Sequence, residues 1–524
     1  MSGLSRTADL AESNRFRPDM ERLESREAPA AVTLPDFYNV RAGRILNRTA
    51  RNINGVAGVL RNDNDSAQGT PPPFRNAGMR AVLTSQPIDL TTGLPVSSPF
   101  SFQSDGGFTF RAPRNFNGPV RFTYIAIAAD GSVSGNTTAL ISVSGPIRRV
   151  AIGADEGSSP TVTVYDATTT NNLFTFNAFD PGFQGGVRVA TADFNGDNVD
   201  DIVCAAGPGA GPHVKIFDGR GGGEIASFFA FGSNFKGGVE LSTGDLNGDD
   251  VEDLVVSAGS GADAHVKVID GTKVAQGGFD ANDGANLLAS FYAYGTGETK
   301  GVRTAVGDLT GTGSLNGTNQ LITAPVAGGT GSGTLVKAFD FSSGAPQQSK
   351  AFFAGNPADS RGLFVTAGDF NGDLFDDIAV GSGSGRPEAR IYIQGADPTA
   401  MVLERSLAAA SYADNFVADA FANPFVTNPE PDFLVGTLTT PTPTPTDLVG
   451  TAVSPKPGYR QGYAGGMRVA ADYANRDNFA DLMLAQGPGS YPRVLILSGQ
   501  DLSTLADFSV FPGFFGGLNI AGHF

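Results

Sequence analysis

From about residue 150 to residue 520, short apolar runs such as Val150-Ala151-Ile152-Gly153, Val162-Thr163-Val164-Tyr165 and Phe174-Thr175-Phe176 return between clusters of Gly, Asp, Asn and Pro. None extends far enough, or at a 3.6-residue period, to make a helix, so each run reads as a strand and each cluster as a turn. From Thr33 to Ser144 the pattern is different: β-branched or aromatic residues alternate with polar ones, as in half-buried strands. The chain is therefore expected to be all-β, with a β-sandwich at 33–145 and a longer unit at 146–524 behind a polar segment at 1–32.

The longer unit is repetitive. Val187-Arg188-Val189-Ala190-Thr191-Ala192-Asp193-Phe194-Asn195-Gly196-Asp197 recurs 52 residues later as Val239-Glu240-Leu241-Ser242-Thr243-Gly244-Asp245-Leu246-Asn247-Gly248-Asp249. The tails match as well, His213-Val214-Lys215-Ile216-Phe217-Asp218-Gly219 against His265-Val266-Lys267-Val268-Ile269-Asp270-Gly271. Further units open at Val302, Leu363 and Met467, with a worn one near Phe416 that keeps only Asp432-Phe433-Leu434-Val435-Gly436. Four strands per unit cannot bury both faces of a small sheet alone, so the units must stack, and a closed ring removes the exposed ends.

Residues Arg149 to Gly186 supply three strands without a first strand or an acidic loop before them, whereas Leu518-Asn519-Ile520-Ala521 follows Phe515-Gly516-Gly517 as Val187 follows Gln184-Gly185-Gly186. The C-terminal strand is thus expected to complete the first unit. The count is then a seven-bladed β-propeller, or six blades if residues 416–466, with Pro441-Thr442-Pro443-Thr444-Pro445-Thr446, are a linker.

Composition narrows the function. With 53 Asp+Glu against 36 Lys+Arg, the formal net charge is −17, the wrong sign for a nucleic-acid backbone or an anionic membrane. No run approaches the apolar length of a transmembrane segment. The single cysteine, Cys204, can form no internal disulfide and reads as a small core residue.

The turn between the first two strands of a unit carries Asp193, Asn195, Asp197 and Asp201; Asp245, Asn247, Asp249 and Asp253; and Asp369, Asn371, Asp373 and Asp377. Oxygens at positions one, three, five and nine, with a backbone carbonyl at seven (Val199, Val251, Phe375), suit the six to eight hard ligands of Ca²⁺, and about three sites are expected. Three copies at one point of a repeat exceed chance, and the bunched carboxylates repel unless a cation joins them. Asp308-Leu309-Thr310-Gly311 keeps the first ligand but continues into an insertion, and Asp472-Tyr473-Ala474-Asn475-Arg476-Asp477 carries one extra residue and an arginine, so neither is expected to bind metal.

These residues resemble the FG-GAP/VCBS repeat family, which includes the seven-bladed head of integrin α subunits with calcium in equivalent loops. Upstream, Gly58-Val59-Leu60-Arg61-Asn62-Asp63-Asn64-Asp65, Asp105-Gly106-Gly107-Phe108-Thr109-Phe110 and Phe122-Thr123-Tyr124 resemble the bacterial cadherin-like, Ig-like repeat, a spacer of surface proteins. Its Asn62–Asp65 cluster reads as a solvated turn, with calcium as the alternative. Arg17-Pro18 through Pro29-Ala30 is similar to a short export tag on large bacterial surface proteins. The resemblances imply an extracellular or cell-surface protein with a protein or glycan partner.

Propellers also host enzymes, so fold does not decide activity. His213 and His265 occupy matching repeat positions and His523 lies in the closing strand, and all three read as strand residues. The leading expectation is a non-enzymatic, calcium-stabilised adhesion or interaction protein. The alternatives are a lyase or hydrolase acting on extracellular polymer, or a purely structural envelope component. A polar, non-repeated cluster at one mouth of the central channel would favour an enzyme.

Overall fold

The computed structural model describes residues 31–522 with breaks, the longer ones at 49–57, 66–77, 311–318, 327–332, 409–431, 437–455 and 458–464. The N-terminal strands form a four-stranded sheet in the order Asp36–Arg41, Thr137–Ser144, Gly118–Ile127, Arg80–Asp89, and a three-stranded sheet of Ile45–Asn47, Phe108–Arg111 and Phe100–Phe102. Alternation explains the pairing: in Gly118–Ile127 the inward residues Val120, Phe122, Tyr124 and Ala126 are buried, while their neighbours are half-exposed. The Phe108, Phe122, Phe100 and Tyr38 rings pack within one core drawn entirely from this part of the chain.

The rest is a propeller-like array. Sheet 1 runs Leu518–Ala521, Arg149–Ala154, Thr161–Asp166, Asn172–Asn177 from inside to outside. Sheet 2 is Val187–Ala192, Asp201–Ala206, His213–Phe217, Glu224–Phe229, and sheet 3 is Val239–Gly244, Asp253–Ala258, His265–Ile269, Leu287–Tyr292. Sheet 4 is Val302–Gly307, Gln320–Pro325, Leu335–Asp340, Gln347–Phe353. Sheet 5 is Leu363–Gly368, Asp377–Ser382, Glu388–Gln394, Met401–Ala408, and sheet 6 is Met467–Asp472, Asp481–Gln486, Arg493–Leu497, Thr504–Ser509. The innermost strand of each sheet packs on that of the next, and that of sheet 6 returns to Leu518–Ala521. The closing strand pairs Ala154 with Leu518, Ile152 with Ile520 and Ala151 with Ala521.

A seventh sheet from residues 416–466 is not found among the described residues. The innermost strand Leu363–Gly368 packs directly on Met467–Asp472, and Gly466 N–H donates to Gly385 O at 3.3 Å, which leaves no place between sheets 5 and 6. Of the worn unit, Val435–Gly436 adds to the outer edge of sheet 5 and Asp432–Phe433 pairs with Lys456–Pro457. The three prolines Pro441, Pro443 and Pro445, alternating with threonine, have no N–H to give to the ladder of an inner strand.

Position within a sheet explains the sequence pattern. Second strands such as Asp201–Ala206 are buried throughout, pressed between neighbouring sheets, and so read as continuous apolar runs. Fourth strands such as Thr504–Ser509 lie at the rim and alternate. Aromatic pairs bridge adjacent sheets: Phe176 with Phe217, Phe291 with Phe339, Phe352 with Tyr392, and Phe508 with Tyr165, all with ring centroids 4.6–5.1 Å apart. Cations on the third strands add a repeated latch to the preceding sheet. Lys267 Nζ donates to Ala230 O at 2.9 Å, Lys337 Nζ to Ala293 O at 3.0 Å and Arg390 Nη1 to Ala354 O at 3.0 Å. Among the described residues no helix is long and apolar enough to cross a membrane.

Candidate functional site

Each acidic turn is wound on its own side chains. In sheet 2, Asp193 Oδ1 accepts Gly196 N–H at 2.8 Å and Asp193 Oδ2 accepts Asn198 N–H at 2.9 Å. Asn195 Oδ1 takes Asp197 N–H, and Asp197 Oδ1 takes Val199 N–H, each at 2.9 Å. Three of these bonds, those to the fourth, fifth and seventh N–H, recur at Asp245, Asn247 and Asp249 of sheet 3 and at Asp369, Asn371 and Asp373 of sheet 5, where the last in each case receives Val251 or Phe375 N–H at 2.9 Å. Gly196, Gly248 and Gly372 hold φ of 76°, 79° and 77°, the left-handed conformation that asks for glycine at the fourth position.

The ninth carboxylate closes the turn. Asp201, Asp253 and Asp377 are fully buried, and their Oδ2 atoms accept the N–H of Phe194, Leu246 and Phe370 at 2.9–3.1 Å. Asp201 and Asp253 also bond Gly219 and Gly271 N–H through Oδ1, at 3.2 and 3.0 Å. Asp377 Oδ1 has no hydrogen-bond partner. Burial first, then neighbouring acids, push the ninth carboxyls up: Asp201 and Asp253 to about 7, and Asp377, near Asp373, Asp369, Asp376 and Glu404, to about 9.

Of the two departing turns, the one in sheet 6 resolves differently from the sequence reading. In sheet 6 there is no extra residue: Asn475 N–H bonds Asp481 Oδ2 at 3.0 Å, Asp477 N–H bonds Asn475 Oδ1 at 3.1 Å and Gly499 N–H bonds Asp481 Oδ1 at 3.1 Å. Positions three, five and nine are thus in register, Tyr473 stands at position one, and Asp472 ends the inner strand. In sheet 4, Gln320 Oε1 accepts Leu309 N–H at 2.8 Å, an amide in the place of the ninth carboxylate.

Among the described residues no three His, Cys, Asp or Glu side chains are gathered as a ready metal cage. The residues nevertheless fit a hard dication by donor type, since every one offers oxygen. Sheet 5 fits best, because Asp377 Oδ1 is a buried carboxyl oxygen without a hydrogen-bond partner beside Asp369 and Asp373. Sheet 2 fits less well: Arg220 Nε lies 2.9 Å from Asp197 Oδ2 and already supplies a positive partner.

The second constellation lies on the axis, at the opposite end from the acidic turns, because it is built from residues near the start of the inner strands rather than past their ends. A cleft of about 70 Å³ is lined by Arg188, Glu240, Arg303, Phe364, Arg468 and Asn519, the second residue of the inner strand in sheets 2 to 6 and 1. Glu240 Oε1 stands 3.7 Å from Arg188 Nε and 3.8 Å from Arg303 Nε, beyond hydrogen-bonding reach. Arg303 and Arg468 both stack on the Phe364 ring, with Cζ 3.6 and 4.6 Å from its centroid. Asp155 pairs with Arg468 Nη2 and with Arg188 Nη1, the latter at 3.1 Å. Burial would raise that carboxyl, but the two guanidiniums outweigh it and hold it at about 2. Burial lowers Arg303 to about 10, with repulsion from Arg468 and Arg188 opposing the help of Glu240.

Sequence reasoning missed this cluster because its members differ from unit to unit. The available signal was a polar or aromatic residue between apolar ones at the same register: Val-Arg-Val, Val-Glu-Leu, Val-Arg-Thr, Leu-Phe-Val, Met-Arg-Val and Leu-Asn-Ile.

The remaining candidates are structural. His213 and His265 are strand residues, each with Nε2 2.8 Å from a serine hydroxyl, Ser227 and Ser290. Cys204 is fully buried, which pushes its thiol far up, away from reactivity. His523 lies outside the described residues. Asp63 is not in a solvated turn: it is fully buried and shares the Tyr124 hydroxyl with Asp36.

No protein family and no curated protein matches the chain. Among solved structures it is similar to the rhamnogalacturonan lyase YesW, at 12% identity over 91% of this chain and 77% of that one, TM-score 0.31. A quinoprotein alcohol dehydrogenase-like protein from Bacteroides thetaiotaomicron is 10% identical over 93% of this chain and 96% of that one, TM-score 0.33. A putative 6-phosphogluconolactonase from Bacteroides fragilis is 10% identical over 71% of this chain and 98% of that one, TM-score 0.36.

Proposed function

We propose that this chain is an exported, non-enzymatic recognition protein: a six-bladed propeller of the FG-GAP/VCBS type, braced by Ca²⁺ in its acidic turns and carried on an Ig-like, cadherin-like spacer, that binds an extracellular protein or glycan. The observation that carries the calcium reading is the unsatisfied, buried Asp377 Oδ1 in a turn wound like those of sheets 2 and 3. Asp369, Asn371, Asp373 and Asp377, with the Phe375 carbonyl, would hold the ion in sheet 5. Asp245, Asn247, Asp249, Val251 and Asp253 would do so in sheet 3, and Asp193, Asn195, Asp197, Val199 and Asp201 in sheet 2. The bound ion supplies positive charge to bunched carboxylates and so rigidifies the turns. Differential scanning calorimetry with Ca²⁺ or with a chelator tests this: the melting temperature should rise with Ca²⁺ in the range of about 10⁻⁴ to 10⁻³ M, and a transition indifferent to both refutes it.

A polymer-cleaving enzyme is the second reading, favoured by the axial polar cluster. Against it, the acids and bases there are spent on one another: Asp155 is held ionised by two arginines, and arginine does not shuttle protons at neutral pH. Release of reducing ends from acidic polysaccharides by the purified protein would reverse the preference.

A further inference from the structure

We infer that the axial cleft is a binding site for a single carboxylate group, held by Arg303 and Arg468 with Arg188 beside them. Two buried guanidinium donors lack partners: the Nε–H of Arg303 and that of Arg468 make no hydrogen bond. Their other edges are fixed. Arg303 Nη1 donates to Leu363 O at 2.9 Å, and Arg468 Nη1 donates to Gly465 O at 2.7 Å, so the side chains cannot swing away to find solvent. A buried donor left unmade is costly, and a charged one more so.

Charge sets the class of ligand. Three arginines meet two enclosed carboxylates, Glu240 and Asp155, which leaves one positive charge in excess; Glu156 adds a third acid, but it is exposed and screened. A monoanion balances that excess, whereas a sulfate or phosphate dianion would face Glu240 with charge to spare. Shape agrees, because a planar carboxylate matches guanidinium edges and a cleft of about 70 Å³ admits such a head group with little else. The Phe364 ring, stacked on both guanidiniums, fixes their planes before any ligand arrives.

This deepens the recognition reading by naming a ligand chemistry, and it rests on that reading. The test separates the two. Binding of ¹³C-acetate and of glucuronate to the full chain is followed by ligand-observed NMR at constant ionic strength, once with Ca²⁺ and once with chelator. Saturable binding in the millimolar range is expected under both conditions, so that a failed calcium response leaves this result intact and the reverse also holds. Arg303→Gln should weaken binding about tenfold, and Glu240→Gln, which removes the competing carboxylate, should tighten it several-fold. Should either variant fail to fold, slowing of phenylglyoxal modification at Arg303 and Arg468 of the unaltered protein by acetate, mapped by mass spectrometry, gives the same answer. Binding of acetate alone supports a small free acid as the source, and binding of both supports an acidic sugar. No saturation by either, preference for sulfate or phosphate, or indifference to Arg303→Gln overturns the assignment.

Discussion

The backbone N–H of Asp200 donates to the carbonyl of Ile147 at 3.1 Å, the bond that Asn319 makes to Asp245, Asp376 to Asp308 and Ala480 to Asp369. In the last three cases the acceptor is the first residue of the acidic turn one sheet back. At sheet 1 the acceptor comes instead from Ile147, in the segment leaving the sandwich. The turns of sheets 3, 4 and 5 are thereby tied to the start of the next sheet's second strand, so that ordering one of them stiffens its neighbour.

Asp377→Asn should have opposite effects with and without metal. In chelator the substitution removes a buried acid whose proton affinity is raised to about 9, and stability near pH 7 should rise by on the order of 2 kcal/mol. In Ca²⁺ a ligand charge is lost and the calcium-dependent gain in melting temperature should shrink. Calorimetry in both buffers reads the crossover, and a change of the same sign in both would refute the site.

Arg220 competes for the turn of sheet 2 through Asp197. Arg220→Ala should therefore lower the Ca²⁺ concentration needed for stabilisation by about threefold, while Asp197→Ala should remove part of the stabilisation. Titrating the melting temperature against free Ca²⁺ for the two variants distinguishes them.

The sandwich should lose stability as pH rises. The Tyr124 hydroxyl has one proton but lies 2.9 Å from Asp36 Oδ2, 2.9 Å from Asp63 Oδ2 and 3.1 Å from Val59 O, so one carboxyl must carry the second proton. Burial chiefly raises Asp36 to about 8 and Asp63 to about 6. The folded state then holds protons that the unfolded chain releases above pH 4. The stabilisation is complete below about pH 4 and is lost progressively up to about pH 8, by on the order of 3 kcal/mol. Chemical denaturation across that window should show the fall, and Asp36→Asn should flatten it.

Ring closure depends on Leu518, which is fully buried opposite Ala154. Leu518→Asp should cost more than about 3 kcal/mol by burying an unpaired charge, whereas Leu505→Asp, on the half-exposed outer strand of the same array, should cost less than about 1. Limited proteolysis should then cut first within sheet 1, between Arg149 and Asn177. Equal resistance of the two variants would argue against a closing role.

Strands and their order were readable because burial on two faces, or on one, writes itself into residue type: Asp201–Ala206 is buried throughout and apolar after its first residue, whereas Thr504–Ser509 alternates between half-buried and exposed positions. The closing strand was readable from Gly516-Gly517, because a glycine immediately precedes every inner strand and is doubled before Val187, Val239 and Met467 as it is before Leu518. The count of seven rested on Asp432-Phe433-Leu434-Val435-Gly436, a second-strand signature, whereas among the described residues Leu363–Gly368 packs directly on Met467–Asp472. In sheet 6 the acidic residue at Asp472 invited a shifted alignment, although Asn475, Asp477 and Asp481 hold the register. The axial arginines escaped notice for a deeper reason: repeat comparison rewards what recurs, and a pocket on a symmetry axis is made by what differs.

Ile147 N–H bonds Asn198 O at 2.6 Å and Arg111 approaches Asp308 at 3.8 Å, so the sandwich meets the array on its acidic-turn side, while Arg188, Arg303 and Arg468 gather at the other end. Strand direction therefore gives the molecule a stem and a front. A chain tethered through its N-terminal side would aim its arginines at the surrounding medium.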